Sequence, residues 1–202
     1  VNIEENAAKT PVNYVLPPGV EREQDPTTSA QAYLINEQSL LLKVMDLDDG
    51  DARAAYKNVN LDVRKYKRLK MDVHAEMIEE CDNQLEDNEL RVFIRLGSDY
   101  KQNYYEYEIP LTLTEPGTYN NNYEEDRRLV WPDENRLDIL FEIFQNVKQE
   151  RNRIIRSGGP ASLTARYSML DGENAVTVMG NPNLSNIRTI MLGIRNPSRL
   201  NN

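Results

Sequence analysis

The sequence predicts a mainly β protein: a jelly-roll-like β-sandwich with one amphipathic helix. Three observations carry this. Seven or more segments alternate apolar and polar residues with a period of two. One segment alone, "FEIFQNVKQERNRII", spaces its apolar residues Phe141, Phe144, Val147 and Ile154 as a helix face does. Turn-forming Gly, Pro, Asn and Asp punctuate the chain between these segments, and many short strands with one helix suit a sandwich whose end or edge the helix covers.

The elements follow in order. Residues 1–38 contain Pro11, Pro17, Pro18 and Pro26, which forbid a helix, so an extended Pro-rich arm is expected there, laid over the domain or mobile. The sandwich is expected over residues 39–196, with a tail over 197–202. "SLLLKVMDL" reads as a strand with Leu40, Leu42 and Val44 on one face. "RLKMDVHAEMI" alternates most clearly, with Leu69, Met71, Val73, Ala75 and Met77 against Lys70, Asp72, His74 and Glu76. "ELRVFIRLG" sends Leu90, Val92, Ile94 and Leu96 inward. "NYYEYEIPLTLT" aligns Tyr105, Tyr107, Ile109, Leu111 and Leu113, and Pro110 on its other face suggests an edge or a bulge. "SLTARYSML" and "AVTVM" flank the Asp-Gly turn of "LDGEN", which suits a tight hairpin. "NIRTIMLGIRN" is apolar on both faces, as in a strand covered on both sides. "NRLDILF" fits strand and helix equally, "SGGPAS" reads as the stop after the helix, and "YNNNYEED" reads as a loop.

The chain has 202 residues, 39% hydrophobic and 28% charged, enough for one core with a well-solvated surface. Its net charge of −9 gives no field to attract nucleic acid or an anionic membrane. A single cysteine, Cys81, excludes an internal disulfide and zinc sites built on several thiolates. No apolar run approaches the ~18 residues of a spanning helix. The first residues, "VNIEENAAKT", carry neither an initiator Met nor a signal-peptide pattern, so a piece of a longer protein is expected.

The stretch "MDLDDGDARAAYK" gathers four aspartates around Gly50. A helix–loop–helix calcium loop wants glycine at its sixth position and an acid at its twelfth; counted from Asp46, Gly50 falls at the fifth position and Lys57 at the twelfth. A turn between strands is the better reading. Calcium held by Asp46, Asp48 and Asp51 is the alternative, because unpaired carboxylates this close repel unless something neutralises them. No other cofactor is implied.

His74, the one histidine, is expected on the polar face of its strand between Asp72 and Glu76, as a surface residue. Acidic neighbours blunt the nucleophilicity of Cys81, and no G-x-S-x-G elbow is present. Glu106 and Glu108 share a strand face, as the paired acids of some glycosidases do, yet on an edge strand such charges serve to discourage aggregation. The chain is therefore not expected to be an enzyme. Eleven tyrosines against three phenylalanines suggest a binding surface, with Tyr104, Tyr119 and Tyr123 the candidate rings.

The runs "NEQSLLLKVMDLDDGDARAAYKNVNLDVRKYKRLKMDVHAE", "RVFIRLGSDYKQNYYEYEIPL" and "VWPDENRLDI" closely resemble the soluble modules of the SprA/Sov family. These are large outer-membrane proteins of Bacteroidetes that act in type IX secretion and gliding motility. The resemblance runs from about Pro11 to Arg195. It implies a non-enzymatic soluble module of a protein-secretion translocon in the outer membrane, on its periplasmic or extracellular side. Such a module would cap the translocon, or dock its protein partners or cargo, without itself spanning the membrane. A carbohydrate-binding β-sandwich of a cell-surface protein is the alternative; it would show Tyr104, Tyr119 or Tyr123 lining a groove beside Asn and Arg.

Overall fold

A computed structural model describes residues 2–5, 12–21, 38–77 and 85–197. The chain is mainly β with antiparallel sheets and an amphipathic helix, as the periodicities predict, and it divides into two compact units. Cys81 lies outside the described residues, as do most of the N-terminal arm and of the C-terminal tail.

The first unit is assembled from residues 1–43, 72–86 and 112–136. Strand β1 (Asn2–Glu5) pairs antiparallel with β2 (Gln38–Leu41). The predicted strand around β2 stops early, and beyond it Asp46 takes φ 52, a left-handed conformation that no extended strand tolerates. The described part of the arm is packed: Val12 and Val15 form a core cluster with Val130, against which Tyr119 and Trp131 rest. Asparagine amides hold it there. Asn13 Nδ2 donates to the Tyr119 carbonyl at 2.8 Å, and the Tyr119 N–H donates back to Asn13 Oδ1 at 2.6 Å. The Leu16 N–H donates to Asn121 Oδ1 at 2.7 Å. Asn135, fully buried, makes the same two-way bond with Thr112, each arm 2.8 Å. Such amide pairs satisfy backbone groups that lie outside any strand ladder. The "YNNNYEED" loop gives way at Glu124 to a short helix, α1 (Glu124–Val130), a second helix that the sequence reading missed. Three acids in its first turn and two arginines in its last complement the helix dipole.

The second unit comprises residues 44–71, 87–111 and 137–202. Its frame is a six-stranded antiparallel sheet. The strands are β3 (Ala52–Leu61), β5 (Arg91–Gly97), β6 (Tyr104–Pro110), β8 (Tyr167–Asp171), β9 (Asn174–Met179) and β10 (Ile187–Arg195), in the order β3-β10-β5-β6-β9-β8. Between them in sequence, β4 (Arg68–Met71) pairs with β7 (Leu137–Leu140). β4 ends at Met71, opposite Leu137 where its antiparallel partner begins, so the longest alternating run yields a short strand. The hairpin β8–β9 turns on Gly172–Glu173, with Gly172 at φ 64 in the first central position, where positive φ is required.

Helix α2 (Phe141–Arg156) packs on one face of this sheet. Its Phe144 is fully buried against Tyr105 and Tyr107 of β6, with ring centroids 5.2 and 6.5 Å away, and Val147 is buried beside it. Each such residue contributes roughly 1.5–3 kcal/mol of burial. α2 follows β7 without a linker, so the ambiguous "NRLDILF" is strand to Leu140 and helix from Phe141. It ends as "SGGPAS" predicts: the Gly158 N–H donates to Ile155 and the Gly159 N–H to Ile154, closing the last turn.

Candidate functional site

The face of the six-stranded sheet turned away from α2 carries charge. Arg95 of β5 stands opposite Glu106 of β6 in the ladder and bonds its carboxylate with two guanidinium nitrogens, Nε at 2.8 Å. Arg166, just before β8, also donates to Glu106. Arg195 at the end of β10 bridges both acids, its Nη2 3.1 Å from Glu106 and its Nε 2.6 Å from Glu108. Arg91 approaches Glu108 at 3.9 Å. Four arginines thus surround two glutamates.

Aromatic rings complete the layer. The Arg95 guanidinium lies 3.9 Å from the Tyr104 ring centroid, and that of Arg195 lies 4.9 Å from the Phe93 centroid. Burial works against the charge on Arg195, but the facing carboxylates of Glu106 and Glu108 outweigh it and hold its pKa above the ordinary value. With Glu106 only 1% exposed, no substrate reaches its carboxylate. The arrangement locks strands β5, β6 and β10 together and does not present an acid pair to solvent.

That placement corrects the edge-strand reading of Glu106 and Glu108. β6 lies between β5 and β9, well inside the sheet. Pro110 is compatible with this because the β9 ladder reaches only from Tyr104 to Glu108, so the missing N–H falls beyond it. Tyr104 is corrected too: at 3% exposure under Arg95, it lines no groove. Tyr119 is half-buried in the first unit, its hydroxyl donating to the Glu115 carbonyl at 2.8 Å, while Tyr123 is exposed.

The acidic stretch is a turn. The Asp51 N–H donates to the Asp48 carbonyl at 3.0 Å, and Asp51 pairs with Arg53 at 3.3 Å. Among the described residues, no three His, Cys, Asp or Glu side chains group as metal ligands, and Asp46, Asp48 and Asp51 make no such set. His74, expected at the surface, is instead largely enclosed. Its Nδ1–H donates to the Val130 carbonyl at 2.9 Å, and its Nε2 lies 3.3 Å from Glu76, which also accepts the Val12 N–H at 3.2 Å. His74 thereby joins α1, the arm and residues 72–77 within the first unit.

Sequence reasoning also passed over a basic run. Five of the seven residues from Arg64 to Lys70 are Lys or Arg, in a chain of net charge −9. Two of them, Arg64 and Lys67, line a groove of about 200 Å³ together with Tyr66, Leu140, Phe141 and Leu184. The run itself was the signal; its apolar partners come from distant parts of the chain.

No curated protein matches this sequence. Among the described residues, no helix is long and apolar enough to cross a membrane. A family model described as motility related/secretion protein, SprA_N, matches residues 1–202, the whole of the given sequence. The chain therefore belongs to the SprA_N family of motility-related and secretion proteins, in agreement with the resemblance to the SprA/Sov family carried by runs such as "RVFIRLGSDYKQNYYEYEIPL".

Proposed function

We propose that this chain is a non-enzymatic module of an outer-membrane protein-secretion translocon, of the type IX secretion and gliding machinery of Bacteroidetes, and that it docks protein partners or cargo or caps the translocon. The family match over residues 1–202 carries this reading. Two features of the molecule support it. The most conspicuous carboxylate pair, Glu106 and Glu108, is consumed by arginines within the sheet. In contrast, Tyr56, Tyr66 and Tyr123 are all more than half exposed, and tyrosine is enriched where proteins meet; Leu129 and Leu170 add exposed apolar area.

The test is site-specific photocrosslinking in living cells, with the crosslinker placed at Tyr66, Tyr123 or Leu170. Adducts with other outer-membrane components or with exported proteins are expected at one position or more. Uncrosslinked protein at all three positions, in cells that are actively secreting, would overturn the docking role.

A further inference from the structure

We propose that the groove between the β3–β4 connection and the start of α2 binds an acidic peptide segment through one apolar anchor side chain. The proposal gives the docking reading above a specific surface and a partner chemistry, and it rests on that reading for its biological setting.

The recess has an apolar floor. Phe141 and Leu184 are buried in it, Leu140 is partly exposed at its side, and its volume of about 200 Å³ leaves room for one large side chain. Tyr66 stands at the rim, 65% exposed, with an amphipathic ring free to close over an inserted residue.

The surroundings are positive in an otherwise acidic chain. Arg64 is paired with Asp62 at 2.6 Å, and Arg68 with Asp138 at 2.7 Å. Lys65 and Lys67 have no ion pair among the described residues, and Lys67 lines the groove itself. α2 begins here as well. Its N-cap residue Leu140 supplies no side-chain acceptor, so the amide end of a 16-residue helix adds a field of the same sign. Glu142 is the one acid in the lining, and Gln145 offers an amide beside it.

A purely apolar ligand would leave Lys65 and Lys67 unanswered, and a small anion would leave the floor unfilled. Carboxylates flanking a Leu or Phe satisfy both. A membrane surface fits less well, because Phe141 and Leu184 are recessed and do not project outward as membrane-inserting groups must.

The experiment measures fluorescence anisotropy of a fluorescein-labelled peptide of Glu and Asp with a central Phe, titrated with the 202-residue chain. The same peptide with Ser at the centre, and phosphatidylglycerol vesicles, are titrated in parallel. The Phe peptide should bind, with an affinity that falls as salt rises. The Ser peptide should bind about tenfold more weakly or worse, as the loss of a buried aromatic anchor implies. The double variant Lys65→Glu with Lys67→Glu should weaken Phe-peptide binding about tenfold or more. Tyr66→Ala, at an exposed position, should weaken it while leaving the circular dichroism spectrum unchanged.

Equal binding of the Phe and Ser peptides, binding indifferent to both variants, or no peptide binding would overturn the proposal. So would vesicle binding that needs Lys65 and Lys67 while the peptide stays free, which would reassign the groove to a membrane. Those failures leave the translocon reading standing, because crosslinking at Tyr123 and Leu170 does not depend on the groove.

Discussion

Arg95 and Glu106 face each other across the β5–β6 ladder, and the Arg95 Nε–H reaches the Glu106 carboxylate at 2.8 Å in a site where that carboxylate is 1% exposed. Arg166, just before β8, and Arg195, at the end of β10, converge on the same group. One buried acid therefore ties together strands that are distant in sequence. Removing the buried acid of such a cluster leaves buried arginine charge uncompensated, which is far more destabilising than losing a surface pair.

Glu106→Gln keeps the shape of the side chain and removes its charge. It should lower stability by about 3–5 kcal/mol, read as a lower midpoint in urea. Arg166→Ala removes a partner whose side chain is 42% exposed and should lower stability by only about 1 kcal/mol or less. Equal effects from the two variants would show that burial does not set the worth of this cluster.

β10 passes close beneath Phe93 only because residue 193 has no side chain. A Cβ there would lie 2.5 Å from Phe93 Cζ, 2.6 Å from Ala54 Cβ and 2.7 Å from the Arg53 carbonyl oxygen. Gly193→Ala should therefore destabilise by about 1–3 kcal/mol through overpacking. An unchanged thermal midpoint would mean that β3 and β10 lie farther apart than the structure places them.

Tyr105 and Tyr107 set an alkaline limit. Burial pushes both phenols up to about 12, and at Tyr107 the hydrogen bond to Asp171, 2.7 Å long, adds to it. The folded state then favours the protonated phenol. Its stabilising contribution is complete below the unfolded value near 10 and is lost as pH rises from about 10 toward 12. Urea midpoints should stay level up to about pH 9.5 and fall above it. Tyr107→Phe should flatten part of that fall.

The two-way bond between Asn13 and Tyr119 makes the described arm an integral part of the first unit. Asn13→Ala deletes both halves and leaves two backbone groups without a protein partner, which should lower stability by about 1–3 kcal/mol. Trp131, the single tryptophan, donates its indole N–H to the Val15 carbonyl at 2.8 Å and reports on the same region. Its emission should shift to longer wavelength in the variant. An emission spectrum identical to wild type would indicate that the arm holds without the amide.

Period-two alternation made β5, β6, β9 and β10 legible, because these strands lie inside the sheet with most of their apolar residues buried. Helical spacing did the same for α2. What alternation could not reveal was a charged face that is also buried. Glu106 and Arg95 look solvent-bound one at a time, and only the register that sets them opposite each other makes their burial tolerable. Tyr104 was misread for the same reason, since its cover is Arg95, a residue on another strand. His74 sat in an alternating run beside Glu76, as read, yet what encloses it is the Val130 carbonyl and the Trp131 ring, brought from the end of α1. The short α1 was hidden behind an Asn-rich loop whose order comes from tertiary hydrogen bonds, such as Leu16 to Asn121. The run from Arg64 to Lys70 stands in the sequence but was passed over, and the recess beside it needed Leu140 and Leu184 to arrive from elsewhere.

The most direct test of the proposed docking or capping role is to delete residues 1–202 in the native cells, with any flanking coding sequence kept in frame, and to measure export of secreted proteins together with gliding. Loss of both activities, restored by the wild-type residues supplied in trans or in place, is the predicted result. Export and gliding at wild-type levels without residues 1–202 would contradict a docking or capping role in secretion.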